Sequence, residues 1–387
     1  MLVSQAIPNL GSVQVYPGFL LSLQGSFLPF SFPPVSSVTL KQLAQQLGLA
    51  SSTVSRALRN GADISAETKR RVQAMAAELH YQPHAYASGL RNQLSHTIGV
   101  VVPEVNDRFF SLAIDGIEEV ARQNGYHMLI CLTHDSYDLE AQVTRQLTRG
   151  RVDGVLISLA GETQGPAHFE QLSSRGVPLV FFDRVSDALG TATVTTNDFD
   201  AAYQATEHLL SSGCRRVAYL LMSGKLSIGN QRQRGYEAAL GAHGLSLDPD
   251  LLLESSGSND ENTAAIKTLL QRRPDIDGLF ASTGRLALSA YQACQELGRV
   301  IPQDIKVIGF SNLEIASLLA PPLSTVTQPA YEIGREAARL LFSAIIEKKP
   351  LLATQSMELP AELIVRGSTM GSPVVSKTAP AQQLATP

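Results

Sequence analysis

The 387-residue sequence has no tryptophan and only three cysteines, Cys131, Cys214 and Cys294. The cysteines stand far apart, without the C-x-x-C spacing that is typical of zinc and redox sites. The sequence therefore predicts neither a disulfide framework nor a structural metal. Each cysteine lies among apolar neighbours, and we expect all three to be small buried hydrophobic residues.

The sequence also lacks an apolar run long enough to cross a bilayer. The most apolar N-terminal stretch, residues 18–32, is interrupted by Gln24, Gly25 and Pro29. A secretory signal is not indicated either, because such signals open with a positive segment and the first basic residue here is Lys41. We expect a cytoplasmic protein that does not insert into membranes.

Motifs of common enzyme classes are missing as well. The sequence contains no G-x-S-x-G elbow, no P-loop, no H-E-x-x-H and no G-x-G-x-x-G that opens a strand-to-helix turn. His127 and His134 lie on a predicted strand and in the loop after it, where a structural role is more common than metal binding. We therefore predict no enzymatic activity, no cofactor and no metal site.

The composition is that of a folded protein, with 44% hydrophobic and 17% charged residues. The length exceeds what one hydrophobic core usually serves, so we expect a small module and a larger two-part domain. Charge is distributed unevenly. Between residues 36 and 95, seven basic residues oppose three acidic ones, which leaves a net −8 for the rest of a chain whose net charge is −4. A basic module on an acidic body is expected when one end of a protein meets phosphate.

Helical periodicity begins at Thr39, which forms a capping-box pattern with Gln42. Gly48 and Asn60–Gly61 end the first two helices, and Ser65 caps a third. The predicted inward faces are Leu40, Leu43, Ala44 and Leu47, then Val54, Ala57 and Leu58, then Val72, Met75, Ala76 and Leu79. Three short helices this close together predict a compact all-α headpiece.

From Thr97 onward, short apolar runs alternate with amphipathic stretches of helical length. This alternation predicts an α/β fold with parallel sheets and right-handed crossovers. A turn-rich break near Thr195–Asp198 favours two sheets, and therefore a ligand cleft between two lobes. The predicted strands are Ile98–Val102, His127–Leu132, Val155–Ser158, Leu179–Phe182, Val217–Leu221, Leu279–Ala281 and Lys306–Phe310. The predicted helices include Phe110–Asn124, Leu139–Arg149, Ala201–Leu210, Arg234–Ala242, Arg285–Leu297 and Tyr331–Ile346.

The most specific local segment is Ala50–Leu58. Its polar face consists of Ser51, Ser52, Ser55 and Arg56, continued by Arg59. Such a face fits a major groove, where Arg reads guanine and Ser or Thr contacts bases or phosphates. By itself the helix is also consistent with an ordinary solvated surface.

The segments around this helix resemble those of one family. Val38-Thr-Leu-Lys-Gln-Leu-Ala, Thr53-Val-Ser-Arg-Ala-Leu-Arg-Asn and Tyr81-Gln-Pro-His-Ala-Tyr-Ala-Ser-Gly-Leu90 are similar to the headpiece and hinge of LacI/GalR transcriptional regulators. Ile98-Gly-Val-Val-Val-Pro and Gly309-Phe-Ser-Asn resemble the family's sensor domain. The resemblance runs from about Val38 to Arg366. It implies a helix-turn-helix headpiece with a hinge helix, followed by a two-lobed, periplasmic-binding-protein-like domain with two parallel sheets.

The resemblance also implies roles in the headpiece and hinge. Ser51, Ser52 and Arg56 fall where the family's recognition helix reads base edges, and Thr53 and Ser55 fall where it contacts phosphate. Leu90 matches a leucine that is inserted into a central base step, which bends the DNA. The complete predicted DNA-binding set is Thr39, Ser51, Ser52, Thr53, Ser55, Arg56, Arg59, Tyr81 and Leu90. Ala50 departs from the family's capping Ser, which weakens this helix end by about 1 kcal/mol.

In the larger domain the resemblance implies an effector site. Its expected residues are Phe109, Phe110, Asp183, Arg184, Arg232, Thr283, Ser311 and Asn312. Aromatic, carboxylate, guanidinium and amide groups suit a hydroxyl-rich ligand, which offers paired donors and acceptors. The two phenylalanines can equally be core residues, and Asp183–Arg184 a structural ion pair. Thr283–Gly284 stands where many relatives have a polar pair such as Asn-Asp, so the effector's identity stays open.

Five segments are thus predicted. They are a disordered extension at 1–36, the headpiece at 37–82, a hinge helix and linker at 83–96, a two-lobed effector-binding and dimerisation domain at 97–367, and a disordered tail at 368–387. The extension is either genuine or the product of a start codon placed too far upstream. We expect a homodimeric repressor that binds a palindromic double-stranded DNA operator and responds to a small effector, a sugar. The alternatives are an exported solute-binding protein and an α/β enzyme.

Overall fold

The computed structural model describes residues 38–79, 81, 94–149, 152–163, 165–222, 226–255 and 257–370. The predicted extension at 1–36, most of the hinge with Leu90, and the chain after residue 370 lie outside these ranges. The chain divides into two compact units, residues 1–84 and 85–387.

Between residues 38 and 79, the first unit contains three helices, α1 (Leu40–Leu47), α2 (Ser51–Leu58) and α3 (Ala66–Glu78). The predicted capping box is confirmed, because Thr39 Oγ1 accepts from the Gln42 amide and Gln42 Oε1 accepts from the Thr39 amide. Ser65 caps α3 through the Thr68 amide. The buried core consists of Leu43, Ala44, Val54, Ala57, Val72 and Ala76. The remaining predicted inward residues are half-buried around it, so the local periodicity identified this core correctly.

The second unit is built from two lobes, each with one six-stranded sheet and helices packed on it. The first lobe contains β1 (Thr97–Val102), α4 (Arg108–Gln123), β2 (His127–Leu132), α5 (Tyr137–Leu147), β3 (Gly154–Ile157), α6 (Ala167–Ser174), β4 (Leu179–Phe182) and β5 (Thr193–Thr196). The second lobe contains α7 (Asp198–Ser211), β6 (Val217–Leu221), α8 (Ser227–Ala242), β7 (Leu252–Glu254), α9 (Asn259–Arg272), β8 (Gly278–Ala281), α10 (Gly284–Glu296), β9 (Lys306–Phe310) and β10 (Ser324–Thr327). The chain then returns to the first lobe with α11 (Ala330–Glu347) and β11 (Met357–Leu359), and ends in the second with β12 (Glu362–Ile364). Short 3-10 helices lie at Asp187–Leu189, Pro249–Leu251, Glu314–Leu318 and Ala353–Gln355.

Strand order confirms the two predicted parallel sheets. The first sheet runs β11-β5-β4-β3-β1-β2 with every pairing parallel. The second runs β12-β10-β9-β8-β6-β7, and only β12 is antiparallel to its neighbour. The chain crosses between the lobes three times, after β5, β10 and β11. Because helices cover the faces of parallel sheets, ligand sites form where the strands end at their carboxyl termini.

The long apolar runs predicted as strands are all strands, whereas several shorter elements were not predicted. The missed strands are β5, β7, β10, β11 and β12, and helices α6 and α9 lie outside the helical stretches named above. Each of these strands has only three or four residues and contains a polar or charged one, so it lacks the continuous apolar run that identified the equally short β3, β4 and β8. The predicted break at Thr195–Asp198 is in fact the end of β5 and the start of α7, which is the first crossing between lobes. None of the helices in the described ranges is long and apolar enough to span a membrane.

The predicted tail boundary is wrong by at least two residues. Ser368 is fully buried and Thr369 is 2% exposed. Ser368 Oγ donates to the Val307 carbonyl (2.6 Å) and accepts from the Ser324 amide (2.8 Å). This segment therefore completes the second lobe beside β9 and β10. Composition alone predicts disorder here because Ser and Thr are common in disordered tails. In the structure, however, the Ser368 hydroxyl forms hydrogen bonds with buried backbone groups.

The expectation for the cysteines is correct for two of the three. Cys214 and Cys294 are buried, whereas Cys131 is only half-buried. Cys131 lies on β2, the edge strand of the first sheet, where Leu129 and Ile130 are 41% and 42% exposed. The sequence does not show which strand lies at the edge of a sheet. Apolar residues on an edge strand are therefore predicted to be buried although they are partly exposed.

Two glycines bring helices α4 and α11 into backbone contact in the first lobe. A Cβ added at Gly116 would lie 2.1 Å from the Tyr331 carbonyl oxygen, and one at Gly334 would lie 2.0 Å from the Ala113 carbonyl oxygen. No side chain can be accommodated at such distances. The crossing brings the apolar faces of both helices onto one core, which includes Ile117 and Ile333.

We expect Gly116→Ala to lower the free energy of unfolding by about 3 kcal/mol, because the added methyl group must push two helix backbones apart. The matched control is Gly241→Ala in α8, where the space around the new Cβ is open. It should raise stability by about 0.5–1 kcal/mol, since alanine favours helix over glycine. Urea unfolding of the full chain, followed by far-UV circular dichroism, measures both. Equal effects of the two substitutions would show that the helices do not touch at Gly116.

Candidate functional sites

Helix α2 in the first unit carries the candidate nucleic-acid interface. Val54 and Ala57 point into the core, while Ser51, Ser52 and Arg56 are exposed. Thr53, Ser55 and Leu58 are half-buried, and Arg59 after the helix is exposed. The structure thus places the small polar residues and the arginines opposite the buried face. Such a face is free to meet the edge of a DNA groove.

The N-terminus of α2 has no side-chain cap, as expected from Ala50. The Ala50 carbonyl accepts from the amides of Thr53 (2.9 Å) and Val54 (3.1 Å), and the remaining amides of the first turn have no side-chain acceptor there. Free amides at a helix start attract anions, including phosphate oxygens. The missing cap therefore weakens the helix end and leaves donors open to a backbone phosphate.

The two arginines lie along the helix surface. Arg56 pairs with the Asp63 carboxylate, and its Nε donates to the Ser52 carbonyl (3.4 Å). Arg59 donates to the Ser55 carbonyl (3.2 Å) and to Ser55 Oγ (3.1 Å). The side chains of Arg56 and Asp63 are 47% and 54% exposed, and exposed ion pairs contribute only about 0–1 kcal/mol. Arg56 can therefore exchange Asp63 for another acceptor at little cost.

The other predicted DNA-binding residues have different surroundings. Thr39 is exposed, although its hydroxyl already caps α1. Tyr81 is half-buried against the headpiece core, its amide donates to the Ala76 carbonyl (2.8 Å), and burial raises the pKa of its hydroxyl. Leu90 lies outside the described residues.

Ala50→Ser should stabilise the first turn of α2 by about 0.5–1 kcal/mol, because the new hydroxyl can accept from a free amide. In hydrogen–deuterium exchange on the full chain, we expect peptides covering Ser52 and Thr53 to exchange about two- to five-fold more slowly. Ala50→Val is the control, since it adds bulk without an acceptor. Slower exchange in both variants would indicate that packing rather than capping limits this helix end.

The second candidate site is a cleft of about 680 Å³ between the two lobes of the second unit. It is formed by the segments that follow β1, β4, β6, β8 and β9 and by the starts of α4, α8, α9 and α10. The cleft brings together all eight residues expected at the effector site, namely Phe109, Phe110, Asp183, Arg184, Arg232, Thr283, Ser311 and Asn312. They come from five separate segments of the chain and meet because parallel strands end at a common edge.

Phe109 and Phe110 are both core residues and part of the cleft wall, the two roles that the sequence left open. They are 6% and 3% exposed and belong to the core of the first lobe. The same side chains also line the cleft, with ring centroids 5.3 Å apart in an edge-to-face arrangement. The Asp107 carboxylate accepts from the Phe109 amide (2.8 Å) and so caps α4 at this wall. The aromatic wall is therefore rigid rather than a mobile platform.

Asp183 and Arg184 follow β4 at the buried end of the cleft. Asp183 adopts a left-handed backbone conformation (φ 59°) and is 5% exposed. Its Oδ2 lies 3.4 Å from Ser158 Oγ and 3.9 Å from Arg184 Nε. Burial raises the pKa of Asp183 to about 6, although Arg184 and Arg232 lower it in part. The carboxyl group can therefore donate a hydrogen bond when it is protonated, near pH 6 and below.

Arg184 is held from the opposite side by Asp135, whose Oδ1 accepts from Nη1 of Arg184 (2.5 Å) and from the Gly161 amide (2.9 Å). The loop that contains Gly161 is fixed in turn by Glu140, which is fully buried. The Glu140 carboxylate accepts from the Ala160 amide (2.7 Å) and Thr163 Oγ1 (2.6 Å), and it lies 2.8 Å from Nε2 of His168. The ends of β2, β3 and β4 are thus locked together at the cleft wall.

Arg232, from α8, supplies the second buried guanidinium. Its Nε donates to Asp198 (2.6 Å) and its Nη1 donates to the Ser282 carbonyl (2.7 Å). The guanidinium lies 3.9 Å from the centroid of the Phe310 ring. Burial raises the pKa of Asp198, and its contact with Arg232 lowers it. Nη2 of Arg232 has no hydrogen-bond partner within the ranges that the structure describes.

The remaining predicted residues mainly shape the second-lobe wall. Thr283 caps α10 through the Leu286 amide (3.3 Å), and Ser311 Oγ accepts from the Leu313 amide (3.1 Å). The Asn312 side chain donates to the Gln328 carbonyl (2.7 Å). A Cβ at Gly284 would lie 2.8 Å from Ser311 Oγ, so a side chain there must displace this serine.

Sequence reasoning missed the polar residues at the exposed end of the cleft, which are Glu104, Asn106, Ser258, Asn259, Asp260 and Arg285. Glu104 and Asn106 follow β1, which was predicted as a strand. Because ligand sites lie at the carboxyl ends of parallel strands, these two residues could have been predicted as cleft residues. Ser258, Asn259 and Asp260 follow β7, which no pattern revealed. Within the described part of the chain, no group of three or more His, Cys, Asp or Glu residues could hold a metal ion.

Comparisons with known proteins match segments of both units. Residues 39–84 match the family model for bacterial regulatory proteins of the lacI family, and residues 206–369 match a periplasmic binding protein-like domain. The chain is 30% identical over 333 residues to the ribose operon repressor of Halalkalibacterium halodurans, covering 86% of this chain and 97% of the relative. The chain belongs to the LacI family. It is therefore a regulatory protein rather than an enzyme, and the expected fold class is confirmed.

Other members of the LacI family show the same extent of similarity. The HTH-type transcriptional repressor CytR of Escherichia coli is 30% identical over 340 residues, which cover 87% of this chain and 98% of CytR. The solved complex of the transcriptional regulator CelR with cellobiose matches with a TM-score of 0.66 and 28% identity over 86% of this chain and 99% of CelR. The lac repressor dimer bound to operator and the anti-inducer ONPF matches with a TM-score of 0.75 over 86% of this chain and 99% of that one. At 23% identity, this last likeness shows the fold alone.

Asp183→Asn should raise the free energy of unfolding by about 3 kcal/mol at pH 7.5. The pKa of Asp183 in the folded chain, about 6, lies above its ordinary value, so the ionised form destabilises the fold and the penalty fades as pH falls from 6 toward 4. The gain should therefore shrink to about 1 kcal/mol at pH 4.5. Asparagine keeps the shape and tolerates the left-handed backbone. Urea unfolding at the two pH values tests this, and an equal gain at both would contradict the raised pKa.

Proposed function

We propose that this LacI-family chain is a cytoplasmic repressor that binds a palindromic DNA operator as a homodimer, under the control of a small sugar bound in the cleft. The observation that carries the proposal is the polar, arginine-bearing face of α2, within a domain that matches the family's DNA-binding model. The names of the relatives support it, since they include ribose operon repressors and CytR. The lac repressor was solved as a dimer on its operator, and CelR with cellobiose.

We assign base reading to Ser51, Ser52 and Arg56. The exposure of all three supports this assignment, and Arg56 has only a weak surface partner to exchange for guanine. Thr53 and Ser55 are half-buried at the edges of the face, a position that suits phosphate contacts. Thr39, Arg59, Tyr81 and Leu90 complete the proposed set, with Leu90 as the wedge in a central base step.

We infer a homodimer because one headpiece is small. Three short helices contact too few base pairs for a unique site, and a two-fold protein on a palindrome doubles the contact. The excess of basic residues between positions 36 and 95 supplies the attraction to phosphate. Since the operator lies in the cytoplasm of a bacterium, the protein acts there.

The control mechanism is linkage between cleft and operator. A ligand that binds the two lobes more tightly in one arrangement shifts the protein toward that arrangement, and the operator affinity changes by the same coupling free energy. The cleft supports this role because its walls come from both lobes. The chain crosses between the lobes at three points, where a relative rotation can occur without unfolding either sheet.

Arg56→Ala should reduce operator affinity about 10- to 100-fold, the cost of one lost guanine contact. The operator is first selected by the full chain from a pool of randomised palindromes, and affinities are then measured by fluorescence anisotropy across a salt series. The unsubstituted chain should prefer its operator to random DNA by at least about 1,000-fold near physiological salt.

Lys267→Ala is the matched control, because it removes one positive charge that is likewise paired with a carboxylate, Glu296, from a half-buried side chain of the second unit. It should leave operator affinity within about two-fold. An equal loss in both variants would mean that charge alone drives binding and that Arg56 reads no base. A chain that bound operator and random DNA alike would contradict the proposed function itself.

A further inference from the structure

Contacts across the mouth of the cleft already join the two lobes. Arg108 at the start of α4 pairs with Glu314 of the second lobe. Arg285 Nη1 lies 4.0 Å from Glu104 Oε1, and the Val185 amide donates to Ser227 Oγ (3.4 Å). The structure therefore shows the cavity with the two lobes in contact. It would be wider if the lobes were separated.

This remaining cavity, about 680 Å³, is large for a single sugar ring. A hexose fills on the order of 200 Å³, the volume of about six waters. One ring would leave more than half of the cavity to water, whereas two rings fill more than half of it and leave room for bridging waters. The size of the cleft favours a ligand of two rings.

The buried end of the cleft is built for one ring. Asp183, Arg184 and Arg232 are 5%, 7% and 3% exposed. Each arginine is held by a carboxylate, and Arg184 Nε and Arg232 Nη2 have no hydrogen-bond partner among the described residues. Fixed donors beside a carboxyl group of pKa about 6 match the paired donors and acceptors of adjacent hydroxyls.

The exposed end offers a second, separate set of polar groups. Asn106 and Asp260 line it, and neither side chain has a hydrogen-bond partner within the part of the chain that the structure describes. Asn259 stands beside them, and its side-chain oxygen accepts weakly from Arg285 Nε (3.4 Å). The lining here contains no aromatic residue on which a nucleobase could stack. A second hydroxyl-bearing ring therefore finds polar partners at this end, whereas a nucleobase placed there finds no ring to stack on.

The charges of the lining select against an anionic ligand. Four arginines face four carboxylates, Glu104, Asp107, Asp183 and Asp260. Three of the arginines, Arg108, Arg184 and Arg232, are already paired with further carboxylates. A sugar phosphate would bring two negative charges to a site without surplus positive charge.

We propose that the effector is a neutral disaccharide, with one ring at Asp183, Arg184 and Arg232 and the other at Asn106, Asn259 and Asp260. This inference rests on the proposed role of the cleft as the effector site. The second ring is held by side chains from both lobes, Asn106 from the first and Asp260 from the second, so it stabilises the arrangement in which the lobes touch.

Isothermal titration of the full chain tests the ligand class directly. The probes are cellobiose, maltose, lactose, trehalose and sucrose, together with glucose, galactose, fructose, ribose, glucose 6-phosphate and cytidine. We expect at least one disaccharide to bind about 30-fold or more tightly than either of its constituent rings, because a second ring doubles the contacts. Tightest binding by a monosaccharide, a sugar phosphate or cytidine would overturn the inference, and so would the absence of binding by every disaccharide.

Variants of the outer end locate the second ring. Asn106→Ala and Asp260→Ala should each weaken the disaccharide about 10-fold or more while leaving the affinity for the constituent monosaccharide within about two-fold. Asp138→Ala removes an exposed carboxylate outside the cleft and should change neither affinity. Equal losses for the disaccharide and the monosaccharide would contradict the two-ring arrangement, and so would no loss at all.

Operator binding by the same preparations separates the two proposals. If the operator is bound selectively and no disaccharide binds the cleft, the inference about the ligand fails and the proposed repressor function stands. If the operator is not bound selectively but a disaccharide fills both ends of the cleft, the inference stands for the cleft and the repressor function fails.

Discussion

The buried ion pair between Arg232 and Asp198 is the contact on which the second unit depends most. Both side chains are at most 4% exposed, and their polar atoms are 2.6 Å apart. Asp198 stands where the chain first enters the second lobe, and Arg232 reaches from α8 to the end of β8 and over the ring of Phe310. Burying two charges is costly, and removing one partner leaves the other unpaired at a cost of about 3–5 kcal/mol. The pair therefore keeps the crossing, the sheet end and the cleft wall in one arrangement.

The cleft depends on this arrangement because few of its polar groups are free. Thr283, Ser311 and Asn312 already bond the protein, and Asp135 and Glu140 fix the loops behind Arg184. A ligand consequently meets a preorganised wall and loses little binding energy to reordering it. The adjustable contacts are the ion pairs at the mouth, which are partly exposed and individually weak. Rigid walls let the ligand bind without reordering the cleft, and a weakly held mouth lets the lobes open and close. A protein whose lobes respond to a ligand requires both.

The headpiece follows a different principle, since its core consists of short-range contacts among three helices. Its polar face is held only by surface interactions such as Arg56 with Asp63, and its recognition helix has no side-chain cap. These groups are available to a partner because the fold does not need them. One side of α2 packs into the core and stabilises the headpiece, and the other side carries the residues proposed to recognise DNA.

Local patterns in the sequence were sufficient for the headpiece, its capping box at Thr39 and the longer strands, because these depend on neighbours a few residues away. Resemblance to the family indicated eight residues from Phe109 to Asn312 that line the cleft in the structure, but not the polar residues at its exposed end. The sequence did not show the short strands that contain polar residues, the edge position of Cys131 or the burial of Ser368. It also could not pair Glu104 with Arg285, or show that a cavity of about 680 Å³ remains between touching lobes. These features arise from strand order and from contacts between distant segments, which tertiary packing determines and no local period records.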